Sequence, residues 1–277
     1  MSTVTAPHHS PEVKPVPRTL DEVIADLQQT VSASRLTLFL QCRLKFFYRY
    51  VLALPKPKAP ALHVGNTVHA VLKAWHKARW LSAPLSLKQL HDTCETLWKD
   101  QRAEPVDWSG EDEEAEKLTA WRLCETYLRQ CGIDPATKPD AVEVSIEADL
   151  AHHGLPRIIG ILDLVQQGRI IDYKTASSTP NPEKVAHTHE IQTSLYALLY
   201  RQNTSRIENG IELHHLVKLK NPKLCITELR PMRSEQQTRL FRLIEAYQQG
   251  LSRRDFVPSP GLACMSCEFF NECRKWH

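Results

Sequence analysis

The feature that most constrains this chain is a change of period between residues 141 and 176. AVEVSIEADL (141–150) alternates apolar and polar residues as a half-buried strand does. RIIGILDLVQ (157–166) and GRIIDYKTA (168–176) follow with short connections, and Gly168 marks a tight turn between them. Three consecutive strands so joined form a meander. Text with helical spacing lies on both sides of it. Upstream, helices are expected over 34–52, where Ser34 is a cap candidate and Pro55 to Pro60 a stop, and over 62–81, 86–102 and 111–131. Downstream come a helix over 185–203, strands over 211–220 and 224–230 parted by Asn221-Pro222, a helix over 233–251 and a cysteine-rich tail. The order predicts a mixed α/β core, a mixed sheet flanked by helices, with a helical N-terminal elaboration. Residues 1–18 carry four prolines and no apolar period, which predicts a flexible tail ahead of a single domain over 19–277.

With 42% apolar residues in 277, the chain has enough material for a proper core. Lys plus Arg total 35 against 32 acidic residues, a formal charge of +3, so any polyanion site must come from local clustering. No apolar run approaches the ~20 residues that cross a bilayer, and the N-terminal text lacks the charged-then-apolar order of a signal peptide. The expectation is a cytoplasmic protein with no membrane partner. Eight cysteines without a secretion signal then point away from disulfides and toward core filling or metal ligation.

The second strand ends its apolar run at Asp163, and the third carries Asp172 and Lys174. Residues two apart in a strand share a face, so Asp172 and Lys174 project together. Asp163, on the neighbouring strand, is placed to share a divalent cation with Asp172. Two carboxylates offer the hard oxygen ligands that Mg²⁺ or Mn²⁺ takes, and such an ion activates water for phosphodiester hydrolysis. Lys174 is the candidate to orient that water and offset charge on the phosphate. A surface Asp–Lys pair on a strand is the plain alternative.

GILD (160–163), IIDYKT (170–175) and Gln192-x-x-x-Tyr196 in the next helix, with GNTVHAVL (65–72) upstream, together resemble the PD-(D/E)XK nucleases, and among them the RecB-type nuclease domain. That resemblance implies a restriction-endonuclease-like fold. It also implies that His69 and the backbone carbonyl of Tyr173 join Asp163 and Asp172 around the metal. Gln192 and Tyr196 would line the DNA path or support the active-site strand; spacing alone says only that they share a helix face. Glu143 and Glu147 read as surface-strand charges, with extra acidic ligands as the alternative.

In the tail GLACMSCEFFNECRKWH, Cys264, Cys267 and Cys273 put three thiols within ten residues, a density that points to ligation. Four cysteines hold either zinc or a [4Fe–4S] cluster. The text around Cys42 is similar to the helix that supplies a distant first cysteine in RecB-type nucleases of the AddB kind and in CRISPR-associated adaptation nucleases. The resemblance thus implies an iron–sulfur cluster on Cys42, Cys264, Cys267 and Cys273, with zinc as the alternative. Arg43 stands where that family usually has proline. Beside Cys42, Arg43, Lys45 and Arg49 interleave with Phe46, Phe47 and Tyr48, a pairing suited to single-stranded nucleic acid or to a split between core and surface.

Taken together, the residues and the resemblance imply a metal-dependent DNA nuclease, preferentially an exonuclease on single-stranded ends in repair or recombination. No phosphate-binding loop is present, so unwinding would fall to a helicase or another repair partner. A CRISPR adaptation nuclease is the same chemistry in another pathway. A non-catalytic DNA-binding or assembly module with a structural iron–sulfur or zinc site is the reading from a different class.

Overall fold

The computed structural model describes residues 18–100 and 105–276. The expected flexible tail therefore lies outside the described residues except for Arg18, as does the end of the helix expected over 86–102. Ten α-helices and six strands are present among the described residues. The N-terminal lobe holds α1 (Leu20–Gln29), β1 (Thr30–Val31), α2 (Ala33–Gln41), α3 (Arg43–Phe46, continued by a π-helical turn through Val51), α4 (Pro60–Trp80), α5 (Leu87–Asp100) and α6 (Glu113–Gln130). The meander follows as β2 (Ala141–Ala148), β3 (Arg157–Gln166) and β4 (Arg169–Ala176). The chain closes with α7 (Pro182–Thr188), α8 (Glu190–Thr204), β5 (Ile211–Val217), β6 (Lys223–Leu229), α9 (Ser234–Ser252) and α10 (Phe270–Cys273).

The sheet is mixed. β2 and β3, β3 and β4, and β5 and β6 pair antiparallel, whereas β4 and β5 are parallel, joined through α7 and α8. Helices cover both faces, as the sequence order predicts. On one face Ile158, Leu162, Val165, Ile170 and Ile211 pack against buried residues of α1, α2, α8 and α9. On the other, Leu164, Ile171, Tyr173 and Leu216 pack against α4, α5 and α6.

The β3–β4 hairpin turns through Gln167 and Gly168, with φ of +52° and +72°, the left-handed pair that a two-residue loop matching the strand twist requires. The two strands then stay paired only for Leu164↔Ile171, Val165↔Ile170 and Gln166↔Arg169. Beyond that they splay. β4 stays on β5, while β3 continues to β1, which pairs with Arg157 and Ile158. The result is a fork in the sheet, with Asp163 and Asp172 at its crotch.

Asp163 also stands at an irregularity in β2–β3. The ladder pairs Val142 with Leu164 and Val144 with Leu162, but skips Glu143 and Asp163, and Glu143 has φ of +43°. Val142 and Leu164 lie in the core on one face of the sheet, Val144 and Leu162 in the core on the other. Both strands change face at this step, so strict alternation fails where the acidic side chain must enter the fork.

Two elements depart from the sequence reading. The helix expected over 34–52 is broken at Cys42, which adopts φ −160° and ψ 108° and caps α3. Two hydrogen bonds hold the break: Cys42 N–H closes α2 on Leu38, and Leu44 N–H leaves the helix pattern for the carbonyl of Val257 at 3.1 Å. Helix α1, absent from the sequence reading, starts with a Thr19–Glu22 capping box and buries Ile24 and Leu27.

Candidate functional site

The site assembles in the fork from four elements. Asp163 comes from β3, Asp172 and Lys174 from β4, His69 from α4 and Gln192 with Tyr196 from α8. Helix α8 reaches the strands because Gly160 lets it: a Cβ there would stand 2.7 Å from Leu199 Cδ1. GILD, one of the motifs that carry the resemblance, thus holds both the carboxylate of Asp163 and the glycine that sets the height of α8 over the sheet.

Asp163 replaces a rung of the sheet. Where backbone pairing with β4 ends, its Oδ2 accepts the Tyr173 N–H at 3.0 Å, and its Oδ1 faces His69 Nδ1 at 3.4 Å. Asp172 is buried, with only 2% of its surface exposed. Its Oδ1 accepts from Gln192 Nε2 at 3.0 Å, and the same amide nitrogen lies 3.0 Å from the Tyr196 hydroxyl. Its Oδ2 has the Lys174 ammonium at 2.6 Å yet forms no hydrogen bond of ordinary geometry. The buried carboxylate is held by charge on that side and by a directed bond on the other.

The electrostatics follow from this packing. Burial raises the Asp172 pKa above the usual carboxylate value, with the Asp163 charge adding to it and Lys174 and His69 opposing. At His69 enclosure lowers the pKa, but the hydrogen bond and charge of Asp163, joined by Asp172, outweigh it and hold the imidazole above its usual value. Tyr173 turns its ring to the far face, where burial raises its hydroxyl pKa and Tyr127 stacks edge-on at 5.4 Å.

Two clefts meet at this point. A smaller one of about 500 Å³ holds His69, Asp163 and Glu143, and a larger one of about 1200 Å³ runs past Gln192 toward Lys45 and Arg49. Ile161, Lys174 and Tyr196 line both. Glu143 lines the smaller cleft and pairs with Lys73 at 2.6 Å, while Glu147, exposed, lines the larger cleft and pairs with Arg157 at 3.3 Å. Both carboxylates therefore border the candidate site.

Among the described residues no group of three or more His, Cys, Asp or Glu side chains stands close enough to hold a metal ion as the side chains lie. The donor set nevertheless suits a hard divalent cation: two carboxylates and an imidazole converge, and one buried carboxylate oxygen lacks a directed partner.

The cysteine tail folds back onto Cys42. Cys42, Cys267 and Cys273 pack around a small core of Leu44, Tyr48 and Phe269. Burial, then the charges of Cys42, Cys267 and Cys264, raise the Cys273 pKa, so the other three sulfurs each lie within electrostatic reach of Cys273. Polar contacts secure the tail. Glu268 pairs with Arg49 and, at 2.8 Å, with Lys45; Glu272 pairs with Lys56 at 2.7 Å and accepts the Tyr48 hydroxyl at its carbonyl. The aromatic residues read as candidate base-stacking groups are committed elsewhere: Phe46 and Tyr48 are buried, and Phe47 stacks on Phe256 at 4.8 Å. Arg43 pairs with Asp255.

The sequence reading missed two histidines. His215 on β5 is the register partner of Lys174, a juxtaposition created only by the parallel pairing. His189 lies one helical turn before Gln192, so its spacing was visible, but nothing in the text set it apart from a turn residue.

The profile of the PD-(D/E)XK nuclease superfamily matches residues 30–274. A crystal structure of a candidate exonuclease from Eubacterium rectale shares the fold with a TM-score of 0.60 at 13% identity, covering 95% of this chain and 94% of that one. The crystal structure of SSO0001 aligns at 12% identity over 92% of this chain and 93% of its own, with a TM-score of 0.43. No curated protein matches in sequence.

Proposed function

Because this chain belongs to the PD-(D/E)XK nuclease superfamily, we propose that it is a Mg²⁺- or Mn²⁺-dependent deoxyribonuclease, an exonuclease on single-stranded DNA ends. The observation that carries the proposal is the convergence at the fork of Asp163, Asp172, Lys174 and His69, with Gln192 fixing Asp172. Asp163, Asp172, His69 and the Tyr173 carbonyl would hold the metal, which supplies Lewis acidity at the scissile phosphate when bound. Lys174 orients the attacking water and offsets the charge that builds on the phosphate oxygens as the P–O bond breaks. Tyr196 and Gln192 keep the strand and its carboxylate in place.

The larger cleft supports a single strand as substrate. It leads from Lys174 to Lys45 and Arg49, two cations that share the one carboxylate of Glu268 and so keep a net positive charge, and its walls carry Ser32, Ser34 and Thr37, groups that contact a backbone without reading bases. Residues 19–277 act as one domain in this reading. The gathering of Cys42, Cys264, Cys267 and Cys273 supports a [4Fe–4S] cluster, or zinc, that pins the tail to α3 beside the cleft. Repair, recombination or CRISPR adaptation, with a helicase partner, would supply such ends.

The test is anaerobic purification followed by cleavage of 5′- and 3′-labelled single- and double-stranded DNA with and without Mn²⁺, with Asp172→Ala and Lys174→Ala as controls. Wild type should release nucleotides from single-stranded ends only with metal, and both variants should be inactive. Equal cutting by wild type and variants, or no cutting of any DNA, would leave a non-catalytic binding module.

A further inference from the structure

We propose that His189 is a substrate-binding residue, placing an imidazole N–H against a phosphodiester oxygen of the strand where the larger cleft reaches Lys174. The inference rests on the reading of the fork as a phosphodiesterase site and extends it to a residue outside the motifs that define that site.

Position is the first argument. His189 lies between α7 and α8 on the wall of the larger cleft, with Lys174, Thr188, Gln192 and Tyr196 as neighbouring lining residues. It is absent from the wall of the smaller cleft, which holds His69 and Asp163. The metal candidates thus stand on one side of Lys174 and His189 on the other. A strand that presents its scissile phosphate to Lys174 from the larger cleft must bring a phosphate oxygen past this imidazole.

Helix architecture does not account for a histidine here. His189 is the residue preceding α8, where Ser, Thr, Asp or Asn normally caps the exposed amides, yet it makes no side-chain cap hydrogen bond. Its ring instead lies on the cleft wall beside Gln192, the residue that holds Asp172. Behind it, 6.1 Å away between ring centroids, stands His215, buried and with no hydrogen-bond partner at Nδ1.

Chemistry agrees with the position. Burial, then the positive field of Lys174 and the proximity of His215, lower the His189 pKa to about 4. The ring is neutral at working pH and offers an N–H donor beside a lysine without adding a second like charge that Lys174 would repel. A neutral donor contributes direction where Lys174 contributes charge.

The experiment compares His189→Ala and His189→Asn with wild type by fluorescence anisotropy on a 5′-labelled single-stranded oligonucleotide, with Ca²⁺ in place of Mn²⁺ to read binding without turnover. Steady-state cleavage in Mn²⁺, calorimetric Mn²⁺ titration without DNA and thermal unfolding accompany it. Losing one hydrogen bond to a charged oxygen should weaken binding and raise KM about tenfold. kcat, Mn²⁺ affinity and unfolding temperature should stay near wild type, and Asn, which retains an N–H donor, should recover part of the affinity. Oligonucleotide affinity within about twofold of wild type in His189→Ala overturns the proposal. A parallel loss of Mn²⁺ affinity overturns it too, because the residue would then act through Gln192 and Asp172. If wild type binds no oligonucleotide, both this proposal and the nuclease reading fall; if wild type binds and the alanine variant is unaffected, only this one does.

Discussion

Replacing Lys174 with methionine isolates the charge that balances Asp172. Methionine keeps much of the aliphatic stem and removes only the ammonium that stands 2.6 Å from Oδ2. Asp172 stays buried, with 3% of its side chain exposed, and keeps the Gln192 bond on Oδ1 alone. Removing one partner of a fully buried ion pair costs about 3–5 kcal/mol. Lys174 is 25% exposed, so water already weakens the pair, and about 2–3 kcal/mol is the expected loss. For a chain of this size that is roughly 5–10 °C in Tm. The assay is thermal and urea unfolding at neutral pH in EDTA, with Asp172→Asn and the double variant completing the cycle.

The neutral amide that Asp172→Asn introduces needs no counter-charge, so the double variant should recover most of the stability lost in Lys174→Met. The pH dependence has a fixed sign. Burial raises the folded pKa of Asp172, so its contribution to stability is most favourable below the unfolded carboxylate pKa and is lost as pH rises through the folded one. The deficit of Lys174→Met should therefore be full at neutral pH and fade as acid protonates the carboxylate. A Lys174→Met protein as stable as wild type at pH 7, or a double variant no more stable than the single, would falsify the claim that Lys174 balances a buried charge.

Gly160→Ala should push α8 off β3, because its Cβ would stand 2.7 Å from Leu199 Cδ1; about 1–3 kcal/mol of stability should go, together with activity, as Gln192 leaves Asp172. Unchanged unfolding and cleavage would show that the close approach is not needed. Cys42→Ser should reduce brown absorbance and iron or zinc content and lower Tm by several degrees, with the tail more open to proteolysis; full metal content would exclude Cys42 as a ligand. His69→Ala should lower Mn²⁺ affinity at least about tenfold in calorimetry. Since the His69 pKa is raised in the fold, its pairing with Asp163 contributes stability below the unfolded imidazole pKa and loses it as pH rises through the folded value. The stability gap between wild type and His69→Ala in EDTA should accordingly close as pH rises past that range, and a gap independent of pH would refute the charged pair.

Sequence carried the layer order and the spacing of the candidate residues on β4 and α8, because period and spacing are local. The alternation over 141–176 gave the meander, and a separation of two residues put Asp172 and Lys174 on one face without further information. Gln192 and Tyr196 had to share a helix face, and do, within 3.0 Å of each other. Tertiary structure decided the rest. The fork that admits His69 from the opposite layer depends on where β4 abandons β3, and the change of face at Glu143 and Asp163 breaks the alternation on which strand reading relies. The break at Cys42 follows from a hydrogen bond to Val257, more than two hundred residues away in sequence. His215 meets Lys174 only through parallel pairing, and His189 gains its place from the cleft that forms above them. Local periodicity is written in neighbouring residues; which strands part, and what then faces the gap, depends on contacts between segments that no short window of sequence contains.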